Sequence, residues 1–201
     1  GNGYSSDVLA GISWVLERKE QLGIRILNIS VGACSKRGMS ENSALVKGVN
    51  RAWDAGLVVV VAAGNNGPRT MSITTPGISR KVITVGCSDD DREVLVGGNR
   101  MVDYSGRGPT AACICKPDLV APGCSVVSCS SRADKYTIKS GTSMSTPIVS
   151  GAVALLMERF PDMSNKDVKL RLRESSVDIG LPRNQQGWGL LDVGKMLERK
   201  R

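Results

Sequence analysis

An α/β fold, a three-layer sandwich with a mostly parallel sheet flanked by helices, is predicted by three features of this 201-residue chain. First, Leu57-Val58-Val59-Val60-Val61-Ala62 is apolar on both faces and Ile24 to Val31 is nearly so; strands buried on both sides read this way. Second, amphipathic helical patterns stand between such runs, as crossover connections require. Third, 41% of residues are hydrophobic and 23% charged, a globular composition long enough for one sizeable core. One domain is expected, with no internal repeat and no low-complexity linker.

The elements follow in order. Ser6 to Leu22 places Val8, Ile12 and Val15 on one helical face with Leu9 and Leu16 beside it, and Gly23 stops that helix as a left-handed cap would. The strand Ile24 to Val31 follows. A second helix runs from about Ser40 to Ala55, with Leu45, Val49, Ala52 and Trp53 as its buried face, before the strand Leu57 to Ala62. Lys81 to Val85 adds a short strand. From about Cys87 to Ser140 glycines and prolines punctuate short strands and turns. Ser143 to Phe160 is apolar nearly all round, which predicts a helix buried through the core, with Pro147 near its start. Ser164-Asn165-Lys166-Asp167 opens a further helix with a capping box, and Asp192 caps a last one.

Composition excludes several functions. The chain holds no histidine, so it has no imidazole base of its own. Its net charge of +8 is spread evenly along the sequence and only seven residues are aromatic (one Phe, three Trp, three Tyr); neither suits a nucleic-acid surface. No apolar run approaches the roughly 18 residues of a membrane span, and neither nucleic acid nor membrane is expected as a partner. Six cysteines, Cys34, Cys87, Cys113, Cys115, Cys124 and Cys129, are expected to be mostly buried thiols rather than bridges; with no histidine and only Cys113-Ile114-Cys115 close-spaced, zinc is not expected.

Three segments carry chemistry. In Gly141-Thr142-Ser143-Met144-Ser145-Thr146-Pro147 a serine stands at the mouth of a helix, where unpaired N–H groups favour developing negative charge. Local physics alone favours an ordinary N-cap for Ser143, and Ser145 rules out the hydrolase elbow, which has glycine there. Ala62-Ala63-Gly64-Asn65-Asn66-Gly67 follows an all-apolar strand, at the end of a parallel sheet where ligands bind. Its Asn65 offers an amide N–H to an oxyanion, or merely makes a turn. Asn28-Ile29-Ser30-Val31-Gly32 ends the preceding strand; its glycosylation sequon is read as accidental inside a buried strand.

Together these segments resemble the subtilisin family of serine endopeptidases, in order along the whole chain. The resemblance implies Ser143 as nucleophile and Asn65 as side-chain donor to the oxyanion. It implies a specificity pocket walled by Ser30, Val31 and Gly32 and by Ala62, Ala63 and Gly64. Gly1-Asn2-Gly3 resembles the edge strand that pairs with substrate backbone. Gly11-Ile12-Ser13-Trp14, Thr75-Pro76-Gly77, Lys116 to Gly123 and Gly187-Trp188-Gly189 match further landmarks of the family. The implied partner is a peptide or protein substrate. No cofactor is implied, apart from calcium in an intact domain of the family.

The family orders its triad Asp, His, Ser, and this sequence matches only the last member. The expectation is therefore a partial subtilisin-like peptidase domain over 1–201, with its N-terminal strands missing and the Asp and His upstream of Gly1. Alone it is expected to be inactive; the alternative reading is a pseudoprotease or peptide-binding scaffold. Lys139 is not aimed to act as a substitute base. Ile148 stands where the family commonly has histidine, and Ala33 where it has glycine. Missing first strands would also leave an open sheet edge beside Ile24 to Val31, which favours self-association.

Overall fold

The computed structural model describes residues 4–32, 41–131 and 135–198. Helix α1 (Ser5–Leu22) leads to β1 (Ile26–Ile29), α2 (Ala44–Asp54), β2 (Val58–Ala62) and β3 (Ile83–Cys87). Short strands β4 (Val94–Val96), β5 (Asn99–Met101), β6 (Leu119–Ala121), β7 (Val126–Cys129) and β8 (Tyr136–Lys139) follow. Helices α3 (Thr142–Arg159), α4 (Asn165–Ser175), α5 (Arg183–Gln186) and α6 (Val193–Leu197) complete the chain.

The centre is a four-stranded sheet in the order β1-β2-β3-β6, parallel throughout. Ile26 pairs with Val58, Val60 with Ile83 and Val85 with Leu119. Every residue of β2, β3 and β6 is buried, whereas β1, at the end of the sheet, buries only Ile29. Helix α3 packs across all four strands, while α2 packs on β2 and α1 on α2. This is the three-layer α/β arrangement expected from the apolar runs.

Local chemistry sets the boundaries. Gly23 ends α1 in the left-handed region, at φ 62°. Ser43 accepts from the Val46 N–H, so α2 begins at Ala44, later than the expected Ser40. Ser164 and Asp167 form the expected capping box of α4, and Asp192 caps α6. β6 joins the main sheet, which its three-residue length hid within the turn-rich stretch. β4–β5 and β7–β8 are antiparallel hairpins.

Two expectations are corrected. Helix α3 is not buried all round: Pro147, Gly151, Ala154, Leu155 and Glu158 line an exposed face. An apolar composition does not bury a helix unless another layer covers it. Among the described residues the thiols are also not mostly buried, since Cys113, Cys115 and Cys129 are exposed, Cys124 is half-buried and only Cys87 is fully enclosed. Cys34 and Ala33 lie outside the described residues.

A buried ion pair ties β3 to β6. The fully enclosed Lys116 donates to Val82 O at 3.1 Å and to Asp118, whose Oδ2 also accepts from the Thr84 N–H at 2.7 Å. Burial lowers the Lys116 ammonium to about 8, against the opposing pull of Asp118.

Candidate active site

The C-terminal ends of β1 and β2 emerge side by side and meet the N-terminus of α3. Gly141 is the helix N-cap, with φ 137° and ψ 160°, a conformation that favours glycine. Ser143 is therefore the second helical residue and not the cap. Its Oγ ignores the helix and donates to Ser30 O at 2.8 Å, joining the α3 segment to the end of β1.

Thr142 fixes Asn65. The Thr142 N–H and hydroxyl both donate to Asn65 Oδ1, each at 3.0 Å, and the same hydroxyl accepts from the Gly64 N–H at 3.1 Å. With its oxygen held this way, the side-chain amide presents its N–H2 end against Gly141, where an added Cβ would lie 3.2 Å from Nδ2. Among the described residues neither Asn65 Nδ2 nor the Ser143 N–H has a protein acceptor. Two donors and a hydroxyl thus belong to half-buried residues at or beside one helix N-terminus.

The remaining expected residues divide into three sets. Ser30 is half-buried, and Val31 and Gly32 are exposed. Gly64 is half-buried, but Ala62 and Ala63 are enclosed, at 2% and 0% exposure. Ala63 lies underneath, its N–H bonded to Val85 O at 2.9 Å and its carbonyl accepting from Thr74. Gly1, Asn2 and Gly3 lie outside the described residues. Asn28 is exposed because β1 is an edge strand, which corrects the buried reading of the sequon; its amide donates to Ser30 Oγ at 3.0 Å. Lys139 is exposed on β8, and Ile148 packs against the main core.

One residue at this site escaped the sequence reading. Thr74, only 3% exposed, donates to Ala63 O through its N–H at 2.8 Å and through Oγ1 at 3.2 Å. Its side chain fills the space between Gly32 and Gly64: a Cβ added to either glycine would collide with it. The available signal was position, since Thr74 immediately precedes the Thr75-Pro76-Gly77 landmark.

Comparison with known proteins decides the family, for a family model described as the subtilase family matches residues 1–189. The chain belongs to the subtilase family. This subtilase is 37% identical over 193 residues to serine protease AprX of Bacillus subtilis (strain 168), covering 88% of this chain and 44% of that protein. It is 33% identical to subtilisin DY of Bacillus licheniformis, over 96% of this chain and 62% of that one. Among solved structures, Sphericase superposes with a TM-score of 0.77 at 31% identity, covering 95% of this chain and 64% of its own. The subtilase chain thus spans about half to two thirds of the length of these relatives.

Proposed function

We propose that this subtilase is a serine endopeptidase segment that acts on peptide or protein substrates, with Ser143 as nucleophile and Asn65 as oxyanion donor. The observation that carries the reading is the pair of hydrogen bonds that Thr142 donates to Asn65 Oδ1, which leaves the amide N–H2 end against Gly141 at the helix mouth that holds Ser143. Ser143 Oγ would attack the substrate carbonyl, and its oxygen would take negative charge beside Asn65 Nδ2 and the Ser143 N–H. Preorganised donors of this kind act because the charge develops where they already point.

A nucleophilic serine also needs a base to take its proton. The hydroxyl here donates to the carbonyl of Ser30, which takes up no proton near neutral pH, and the chain has no histidine. The 201 residues by themselves therefore bind and polarise a substrate without cleaving it. Labelling with a serine-directed fluorophosphonate tests this: slow, substoichiometric modification of Ser143 is expected, and rapid stoichiometric modification would overturn the inactive reading. The reading frame upstream of Gly1 tests the endopeptidase assignment separately. Asp and His in family context there support it; their replacement would favour a peptide-binding scaffold.

A further inference from the structure

We propose that Cys87, Asp89 and Cys124 form a binding site for a thiophilic divalent cation of the Zn2+ or Cd2+ class, built beneath the loop that seats the helix carrying Ser143. Cys87 ends β3, Asp89 follows two residues later, and Cys124 lies between β6 and β7. Thirty-six residues lie between the two cysteines, so no sequence spacing announced them; the parallel pairing of β3 with β6 brings them together. One ligand atom from each of the three residues lies within 4.8 Å of the other two. That separation suits a tetrahedral ion, whose sulfur ligands at about 2.3 Å from the metal stand under 4 Å apart.

The surroundings are arranged as a ligand shell requires. Asp89 Oδ1 accepts from the Gly123 N–H at 2.7 Å, the Cys124 N–H at 3.1 Å and the Cys87 thiol at 3.1 Å, which fixes the carboxylate against the sulfurs. Tyr104 OH lies 3.1 Å from Cys87 Sγ and 3.2 Å from Cys124 Sγ, and is anchored on Gly123 O at 3.2 Å. Turned from Gly123 O, its one O–H would donate to a metal-bound thiolate, the outer-shell role that tunes such sites. A second observation points to the same place. Ser145 Oγ is fully buried without a hydrogen-bond partner and, like Cys87 Sγ, lies against Gly123. Two sulfurs and one carboxylate make a soft donor set, suited to Zn2+ or Cd2+ and unsuited to Ca2+, which takes six to eight oxygens.

Binding involves no redox change. Each sulfur–metal bond forms as a thiol gives up its proton to solvent, so two protons leave for each ion bound. Gly123, between the cluster and the catalytic helix, accepts from the Gly141 N–H at 2.9 Å; an ion held by its neighbour Cys124 stiffens the seat of Ser143.

The test uses the whole chain, kept reduced by a phosphine, with Cys34→Ser, Cys113→Ser, Cys115→Ser and Cys129→Ser so that only the proposed thiols remain. Titration with Cd2+ should give an ultraviolet thiolate-to-metal band that saturates at one ion per chain, with both thiols protected from alkylation. Adding Cys124→Ser, at a half-exposed position that keeps a hydrogen-bonding group, should abolish the saturable band while the far-ultraviolet circular dichroism stays unchanged. Asp89→Asn should weaken binding at least tenfold. Zn2+ should raise the melting temperature of the parent and not of the Cys124→Ser variant. The proposal fails if the four-serine chain folds yet gives no band, if the band survives Cys124→Ser, or if cadmium binds only when Cys113 and Cys115 are restored.

Discussion

Thr142 grips Asn65 twice, through its N–H and through its hydroxyl, each 3.0 Å from the same oxygen. This relationship makes the site a unit: the residue before the serine orients the amide that arrives from a different strand end. It also gives the threonine a role that its place next to Ser143 does not by itself reveal.

Thr142→Val keeps the shape and removes the hydroxyl. The half-buried Gly64 N–H then loses its acceptor and Asn65 Oδ1 loses one of two donors. Leaving such a group unpaired costs about 1–3 kcal/mol, which for a domain of this size lowers the melting temperature by about 2–12 °C at 2–4 °C per kcal/mol. Calorimetry on the purified chain checks it. In a form that turns over peptide substrate, Asn65→Ala should lower kcat by about 10²–10³, the loss found in subtilisin when a side-chain oxyanion donor is removed; steady-state kinetics reads that.

Much of this was legible because the strongest local signals agreed with the fold. The five-residue run Val58–Ala62 could only be a doubly covered strand, and it is buried throughout. Ser164 with Asp167 announced α4 and its capping box. The site itself was legible only as a set of motifs, because the N-cap position of a serine and an Asn-Gly turn are each ordinary. What the sequence hid is tertiary in origin. Thr74 is eleven residues from Ala63 and bonds to it across a loop, β6 is too short to carry a pattern, and the outer face of α3 is apolar yet exposed. Periodicity reports which side chains are apolar; it does not report which neighbour is there to cover them.

Thr74 should limit the size of the substrate side chain that enters between Gly32 and Gly64. Thr74→Gly removes the atoms that fill this gap. Pockets discriminate by about 10–200-fold per methylene-sized difference, so affinity for a peptide with Phe over one with Ala at the residue entering the gap should rise at least tenfold. Binding of the paired peptides by titration calorimetry gives the ratio, and an unchanged ratio would mean that the side chain sits elsewhere. The same change loses the Oγ1 bond to Ala63 O and should lower stability by about 1 kcal/mol.

Alkaline pH should destabilise the chain through the cluster around Tyr104. Burial raises the Cys87 and Cys124 thiols and the Tyr104 phenol above their ordinary values. The folded state therefore keeps protons that the unfolded chain releases above about pH 8.5–10, so their stabilisation is complete below that range and declines as pH rises through it. Lys116 acts in the opposite sense. Lowered to about 8 by burial, it gives up its proton before the unfolded lysine does at about 10.4, and between those values it adds stability as pH rises. One group opposes three, and above the ordinary lysine range only the three still change. Urea unfolding from pH 8 to 11 should show a falling midpoint. Cys87→Ala should flatten the fall and Lys116→Met should steepen it; a profile indifferent to both would remove the explanation.

The edge of the sheet and the outer face of α3 should make the isolated chain associate. β1 ends the four-stranded sheet, so among the described residues its outer backbone groups lack a strand partner, and such edges template pairing with another chain. Beside it, Ser150 of α3 donates to Asn28 Oδ1 of β1 at 2.8 Å, which places the exposed Gly151, Ala154 and Leu155 face next to that edge. Leu155 is 49% exposed and Val31, just past the end of β1, 52%; exposed apolar side chains beside an open edge favour burial against another molecule. The net charge of +8 opposes association at low ionic strength and is screened within about 8 Å at physiological salt. Light scattering should therefore show mass increasing with protein concentration, more steeply at 300 mM than at 20 mM salt as a rough working range for screening. Leu155→Glu should reduce the increase without lowering the melting temperature, because the side chain contributes little to the core. A monodisperse monomer at every concentration and salt, with cooperative melting, would show that the exposed face and edge are tolerated as they stand.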